Sequence, residues 1–300
     1  MNRNLARIII TTAGLIWGLG FIGNKYILDS GWSDAQLLFV RFFTATIVIF
    51  VVYFRRILKT NLYTIVTGLL LGIFLYLGFF FQTWGLDNTT PSNNALVTSG
   101  YIIMMPLIVY FFEKRHIQTK TIIAGMITML GISLITVDFK ELTIAFGDVL
   151  TFIGAFFYAI HIYFLGKLTK KVDLFVLMAF QLVTFSVIAF FVLMLRGGMP
   201  SDLFTNSEQT PLLLLAMLLG FFGSFIAFLF QSIGQKHTNE AEAAILISTE
   251  SVFGPVFAIL FYNDPWNIMI FFGIVLVFLG IVLSELDIVK FNKWVKKSDS

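Results

Sequence analysis

Long apolar runs separated by short polar joints tile this chain from end to end. Ten runs carry the pattern, at 8–28, 36–54, 62–84, 93–112, 119–137, 146–166, 174–195, 211–235, 241–262 and 266–284. Each is long enough for a helix to cross the roughly 30 Å hydrocarbon core of a bilayer. Joints such as "SGWSD", "RRILKTN", "DNTTPSN", "KLTKKVD" and "YNDP" supply the turn formers between them. The pattern predicts an all-α integral membrane protein of ten transmembrane helices.

Composition sharpens this reading. The chain is 58% hydrophobic and 12% charged, with a mean hydropathy of +0.90, whereas a soluble domain carries about 25% charged residues. No polar surface is left to face water, so the bilayer is an expected partner. The pI near 9.0 raises the question of nucleic acid, and the positions of the basic residues answer it. Sixteen of the 20 Lys and Arg side chains fall at the N-terminus, at alternate joints and in the C-terminal tail, among them Arg3, Arg7, Arg55, Arg56, Lys59, Arg115, Lys167, Lys171 and Lys290. The other joints hold Lys25, Lys140 and Arg196, and Arg41 lies inside a run. That sidedness predicts a multi-pass protein of the cytoplasmic membrane with both termini cytoplasmic, and no nucleic-acid partner. Trp32, Trp84, Trp266 and Trp294 fall near run ends, as headgroup-level anchors would. The first run is too long for a signal peptide and no A-x-A-like site ends it, so it reads as a retained span. The chain has no Cys, which excludes disulfides and thiol chemistry.

The two halves repeat. At one ungapped offset of 149, Gln82 meets Gln231, Gly85 meets Gly234, Ser99 meets Ser248 and Pro106 meets Pro255. Units of five helices, 1–140 and 141–300 with the basic tail, follow from this. An odd number of spans makes the second unit enter the membrane from the opposite side, which is the inverted repeat that transporters use for alternating access.

The sequence resembles the drug/metabolite transporter superfamily, specifically the EamA family of ten-helix exporters. "LIWGLGFIGNKYI" resembles the family's first helix, and "LLFVRFFTATIV" its second, with Arg41 as the family arginine. "YFFEKRHIQTKTIIAGMITMLGISLI", with Glu113 in the acidic position, resembles the close of the first repeat, and "TESVFGPVFAILF" part of the second. Asn263-Asp264 stands where the second repeat usually ends in Gly-Glu. The resemblance implies a basket of helices around a central cavity and export of small metabolites, often amino acids.

Candidate chemistry lies at membrane depth, where a polar side chain is costly enough to need a reason. Glu250 sits near the middle of the ninth run and Tyr101 at the matching place in the fourth. Glu250 reads as a site for a cation, an ammonium group or a proton, against the plainer alternative of a hydrogen bond to a neighbouring Ser or Thr. Gln82 and Gln231 are divided between substrate contact and helix–helix glue. His161 shares a face with Tyr158, either as a relay or as a packed histidine. Arg41 is expected to pair with an acid, with a substrate carboxylate as the alternative. Trp17, near the middle of the first run, is expected to offer its indole to a cavity.

Gly18, Gly20 and Gly23 match the G-x-G-x-x-G spacing of dinucleotide sites, but no strand precedes them and no turn surrounds them. They read as small residues for close helix packing, as do Gly14 and, on the third span, Gly68 and Gly72. No Walker A motif, no H-E-x-x-H and no Ser/His/Asp cluster occurs, and His116, His161 and His237 are scattered. No catalysis, cofactor or metal is expected.

The function expected is secondary transport, as export of small metabolites such as amino acids or related amines, with protons as a candidate coupling ion. Substrate contact is expected from Trp17, Gln82, Tyr101, Tyr158, His161, Gln231 and Glu250. Uptake of a small cationic or nucleoside-like solute is the alternative, an integral-membrane enzyme the more distant one, and a homodimer is compatible with either.

Overall fold

The computed structural model describes residues 1–114, 119–138, 143–201, 203, 206–264, 266 and 268–285. Arg115, His116, Lys140, Trp294 and the basic tail from Lys290 onward lie outside the described residues.

Helices follow the apolar runs. The first half holds α1 (Arg3–Asp29), α2 (Asp34–Ile57), α3 (Leu62–Asp87), α4 (Pro91–Thr98), α5 (Tyr101–Glu113) and α6 (Thr119–Thr136). The second holds α7 (Phe146–Leu168), α8 (Leu174–Leu195), α9 (Gln209–Leu219), α10 (Ala227–Gln235), α11 (Glu240–Ile247), α12 (Glu250–Phe261) and α13 (Ile268–Glu285). Among the described residues, eight segments are long and apolar enough to cross a membrane, and two shorter apolar stretches, Ile122–Gly131 and Ile268–Gly280, lie in α6 and α13. A two-residue antiparallel pairing of β1 (Val137–Asp138) with β2 (Thr143–Ile144) marks the joint between α6 and α7. The outer face is apolar, with Val51, Phe111, Leu195 and Phe261 all exposed. Such a surface is stable only against lipid.

Among the described residues, three spans are divided between successive helical segments. The fourth is divided into α4 and α5 at Ser99-Gly100, and the ninth into α11 and α12 at Ser248-Thr249. At both breaks the ladder tightens to bonds three residues back, Gly100 N–H to the Val97 carbonyl (2.9 Å) and Ser251 N–H to the Ser248 carbonyl (2.9 Å). Pro106 and Pro255, within the helix after each break, each remove one donor from the ladder. Near the second break, Ser248 Oγ donates to the Ile245 carbonyl and Thr249 Oγ1 to the Leu246 carbonyl. The eighth span carries a π-helical segment, Gly220–Ile226, between α9 and α10. Apolar periodicity shows none of these breaks, because each keeps its residues in one run.

Equivalent positions of the repeat share local geometry. Thr90 caps α4 through the Asn93 N–H, and Asn239 caps α11 through the Glu242 N–H; losing such a cap costs about 0.5–2 kcal/mol. Lys114 and Asn263, each just past a helix end, are the two non-glycine residues with positive φ (56° and 55°) among the described residues. Asn tolerates that conformation better than most residues. The neighbour Asp264 then caps α4, accepting from Ser92 N–H at 3.0 Å. Packing follows the same exchange: α4 lies against α12 and α5 against α11, while α1 contacts α11 and α12 as α7 contacts α5 and α4. The pairs α6–α13 and α2–α8 map onto themselves.

The glycines separate into two kinds. A Cβ on Gly14 would fall on Thr249 and the Ile247 carbonyl, and one on Gly18 would meet Phe253 and Gly254. These two residues let α1 press against the α11–α12 break. Gly20 has nothing within 4 Å of its missing Cβ, so it is not the packing residue expected but faces open space. Trp32 also differs from expectation. It is buried, at 3% exposure, among Leu37, Leu203 and Leu212. Its indole N–H donates to Gln209 Oε1 at 2.7 Å, a partner found within the protein rather than among headgroups.

Candidate substrate-binding site

The seven residues singled out from sequence line one cavity in the middle of the bundle. Trp17 comes from α1, Gln82 from α3, Tyr101 from α5, Tyr158 and His161 from α7, Gln231 from α10 and Glu250 from α12. Asn24, Arg41, Phe79 and Phe228 complete the wall, and Gly20 opens it. The free space is about 50 Å³, room for a few waters and far below the roughly 300 Å³ of a small-molecule pocket. In this conformation the cavity is collapsed onto its own side chains.

Those side chains form separate hydrogen-bonded groups along the polar wall. Tyr101 Oη donates to Glu250 Oε1 at 3.1 Å, so the carboxylate's partner is a phenol and not the Ser or Thr expected as the alternative. Tyr158 Oη donates to Gln82 Oε1 at 2.8 Å, and Gln82 Nε2 donates to Thr98 Oγ1 at 2.9 Å. His161 Nε2 and Gln181 Oε1 are 3.0 Å apart, which ties the ring to α8 while its edge packs on Phe228. Gln231 Oε1 has no hydrogen-bond partner. The repeat-related glutamines therefore differ: Gln82 is held on both sides, and Gln231 keeps an acceptor free.

Trp17 is fixed by the π-helical segment. Its indole N–H donates to the Gly223 carbonyl at 2.8 Å, and its ring meets Phe228 edge-on at 5.1 Å. A π-helix leaves carbonyls out of the regular ladder, and such segments cluster at functional sites.

Arg41 corrects one expectation. It is buried, at 2% exposure, yet its partners are neutral: Nη1 donates to Asn24 Oδ1 at 2.9 Å and Nη2 to Ser224 Oγ at 3.2 Å. Phe42 and Phe79 rings lie 5.6 and 5.4 Å from the guanidinium, and its Nε is unbonded. Among the described residues neither Arg41 nor Glu250 has an ion-pair partner, although the structure forms such pairs elsewhere. A basic and an acidic side chain, both buried and neither ion-paired among the described residues, thus face one cavity. Asn24 and Ser224 were not singled out from sequence. A polar residue inside an apolar run, one helical turn from Gly20, was the available signal for Asn24.

One end of the bundle is stitched by charges. Glu242 pairs with Arg3 (2.5 Å) and Arg7 (2.6 Å), Glu240 with Lys170 (3.3 Å) and Lys167 (3.7 Å), and Glu113 with Lys167 (2.6 Å). The pairs tie α1, α5 and α7 to the start of α11. His237 lies near this end, and slight desolvation together with the N-terminal amine and Lys236 holds it below the usual histidine range. At the other end Asp148 accepts from Thr89 (2.7 Å) and Asn93 (3.4 Å). Lys25 pairs with Asp29 at 3.1 Å, and Asp29 also accepts from Tyr262. Among the described residues no three His, Asp or Glu side chains converge as a metal site.

A multi-pass helical bundle with a polar, aromatic cavity at its centre defines a membrane transporter. The model of the EamA-like transporter family matches residues 4–137 and again 145–286, so the chain belongs to that family. It is 27% identical over 280 residues to an uncharacterized transporter of Archaeoglobus fulgidus, covering 92% of this chain and 84% of the relative. A crystal structure, described only as that of a protein, superposes with a TM-score of 0.72 at 18% identity. It covers 95% of this chain and 97% of its own, and at that identity it speaks for the fold alone.

Proposed function

We propose that the protein exports small zwitterionic metabolites, amino acids or their close relatives, by alternating access across the cytoplasmic membrane, with both termini cytoplasmic. The observation that carries this reading is a basic and an acidic side chain, Arg41 and Glu250, without ion-pair partners among the described residues and on the wall of one cavity. An unpaired ionisable side chain at membrane depth is costly; a ligand carboxylate gives Arg41 a counter-charge, and a ligand ammonium group gives one to Glu250 as the acid yields its proton. Trp17, Tyr101, Tyr158 and Phe228 offer aromatic faces to the rest of the molecule. Gln231, with its free acceptor, and His161 complete the polar contacts. Glu250 exchanges a proton for the incoming ammonium group, which makes the cycle a proton antiport.

The units that move are the two halves, 1–140 and 141–300, as inverted repeats. The neighbour pattern that survives their exchange supports this, as do the broken spans at equivalent positions. Counterflow in proteoliposomes tests the substrate class, using amino acids, the amines left by their decarboxylation, and nucleosides. Amino acids are expected to exchange fastest. Exchange confined to nucleosides, or to amines without a carboxylate, would sink the zwitterion reading.

A further inference from the structure

The α2–α3 joint and the α7–α8 joint meet at one end of the bundle, and a second cavity of about 570 Å³ opens between them. Arg55, Arg56, Lys59 and Lys171 line it, against the single carboxylate of Asp173. Membrane sidedness explains why each joint is basic. It does not explain why four cations from two separate joints converge on one recess.

The recess is built. Arg56 lies 3.6 Å from Asp173 and 4.7 Å from the centre of the Phe175 ring. Tyr53, where α2 leaves helical geometry (φ −114°, ψ 18°), stacks on the same ring at 4.3 Å. Asp173 is also held by its own helix, accepting from Phe175 N–H at 2.9 Å as the cap of α8. Arg55, Lys59 and Lys171 have no ion-pair partner among the described residues, and Thr60 and Asn61 add neutral polar groups to the wall. Phe54, Leu58, Leu62 and Tyr63, close by in sequence, are all exposed. The recess therefore borders apolar surface of the kind the bilayer covers, where acyl chains give way to headgroups. A soluble anion has no use for that border.

We infer that this recess binds the phosphate of an anionic phospholipid headgroup, with the acyl chains lying on the exposed residues beside it. Guanidinium groups meet phosphate oxygens in pairs, the lysines add point charges, and basic recesses between transmembrane helices suit such headgroups. The assignment needs only the membrane location of the chain and stands apart from its substrate.

Native mass spectrometry of the delipidated full chain tests it, with phosphatidylglycerol, phosphatidylcholine and inorganic phosphate as probes. Phosphatidylglycerol is expected to bind the wild type at least tenfold more tightly than phosphatidylcholine. Each exposed cation removed should weaken it about fivefold, so Arg55→Gln, Lys59→Gln and Lys171→Gln combined should lose about a hundredfold. Replacing the same residues to keep their charge (Arg55→Lys, Lys59→Arg, Lys171→Arg) should restore most of it. Equal binding of the two lipids, or a triple Gln variant that holds phosphatidylglycerol as well as wild type, overturns the proposal. Displacement of the lipid by millimolar inorganic phosphate would assign the recess to a soluble anion instead, and overturns the lipid assignment.

Discussion

Tyr101 and Glu250 are 149 residues apart, the offset of the internal repeat, and the phenol of one donates to the carboxylate of the other at 3.1 Å. Two positions that an exchange of halves would interchange can touch only beside the axis of that exchange. The contact therefore lies where the halves meet, and in the proposed cycle it is a contact that their movement would remake or break. Each residue is also the first of a helix that follows a break, so each side chain sits at a joint rather than in a rigid rod.

The role of Glu250 follows from that position. Glu250→Gln keeps the size and can still accept from Tyr101, so the variant should fold and retain counterflow. Proton-driven accumulation should fall to the equilibrium ratio of about one, since the side chain no longer exchanges a proton. Accumulation equal to wild type across pH 6 to 8 would reduce Glu250 to a structural residue.

In the proposed cycle, Arg41 sets the preference for a carboxylate. Arg41→Gln leaves Asn24 and Ser224 able to rebond but removes the cation. Affinity for an amino acid should drop at least tenfold, while affinity for the corresponding amine changes little. The ratio of the two inhibition constants in counterflow measures this, and an unchanged ratio argues that Arg41 only braces α2 against the π-helical segment.

Gly18 and Gly20, two residues apart, should respond oppositely. Gly18→Ala drives a methyl group against Phe253 and Gly254, which costs about 1–3 kcal/mol and should lower the melting temperature in detergent. Gly20→Ala meets no atom and should melt like wild type while altering substrate affinity. Equal melting of the two variants would contradict the close approach of α1 to α12.

Topology is testable on a clean background, because the chain lacks cysteine. Ser201→Cys should react with a membrane-impermeant maleimide from outside intact cells, and Asn4→Cys only after permeabilisation. The reverse pattern would invert the sidedness argument and with it the direction of export.

Much of this was legible in the sequence. Runs of apolar residues mark spans because the bilayer fixes their length, and all seven depth-placed residues, from Trp17 to Glu250, reached one cavity. What stayed hidden depends on contacts between runs. The breaks at Ser99-Gly100 and Ser248-Thr249 leave apolar periodicity intact, so both spans read as continuous. Arg41 looked like half of an ion pair because sequence gives depth but not neighbours, and the neutral partners Asn24 and Ser224 come from different helices. Trp32 looked like a headgroup anchor for the same reason, since its position near a run end says nothing of Gln209 beside it.

The ion pairs of Glu240 and Glu242 differ in kind from the ionisable groups inside the cavity. Arg3 and Arg7 keep 59% and 38% of their side-chain surface exposed, so dissolved ions reach these pairs and weaken them, with a screening length of about 8 Å at physiological ionic strength. Arg41 and Glu250 are beyond that reach. In the proposed cycle, salt added to the compartment facing these pairs should loosen them and leave the cavity groups untouched, so turnover should carry an ionic-strength dependence that has a side.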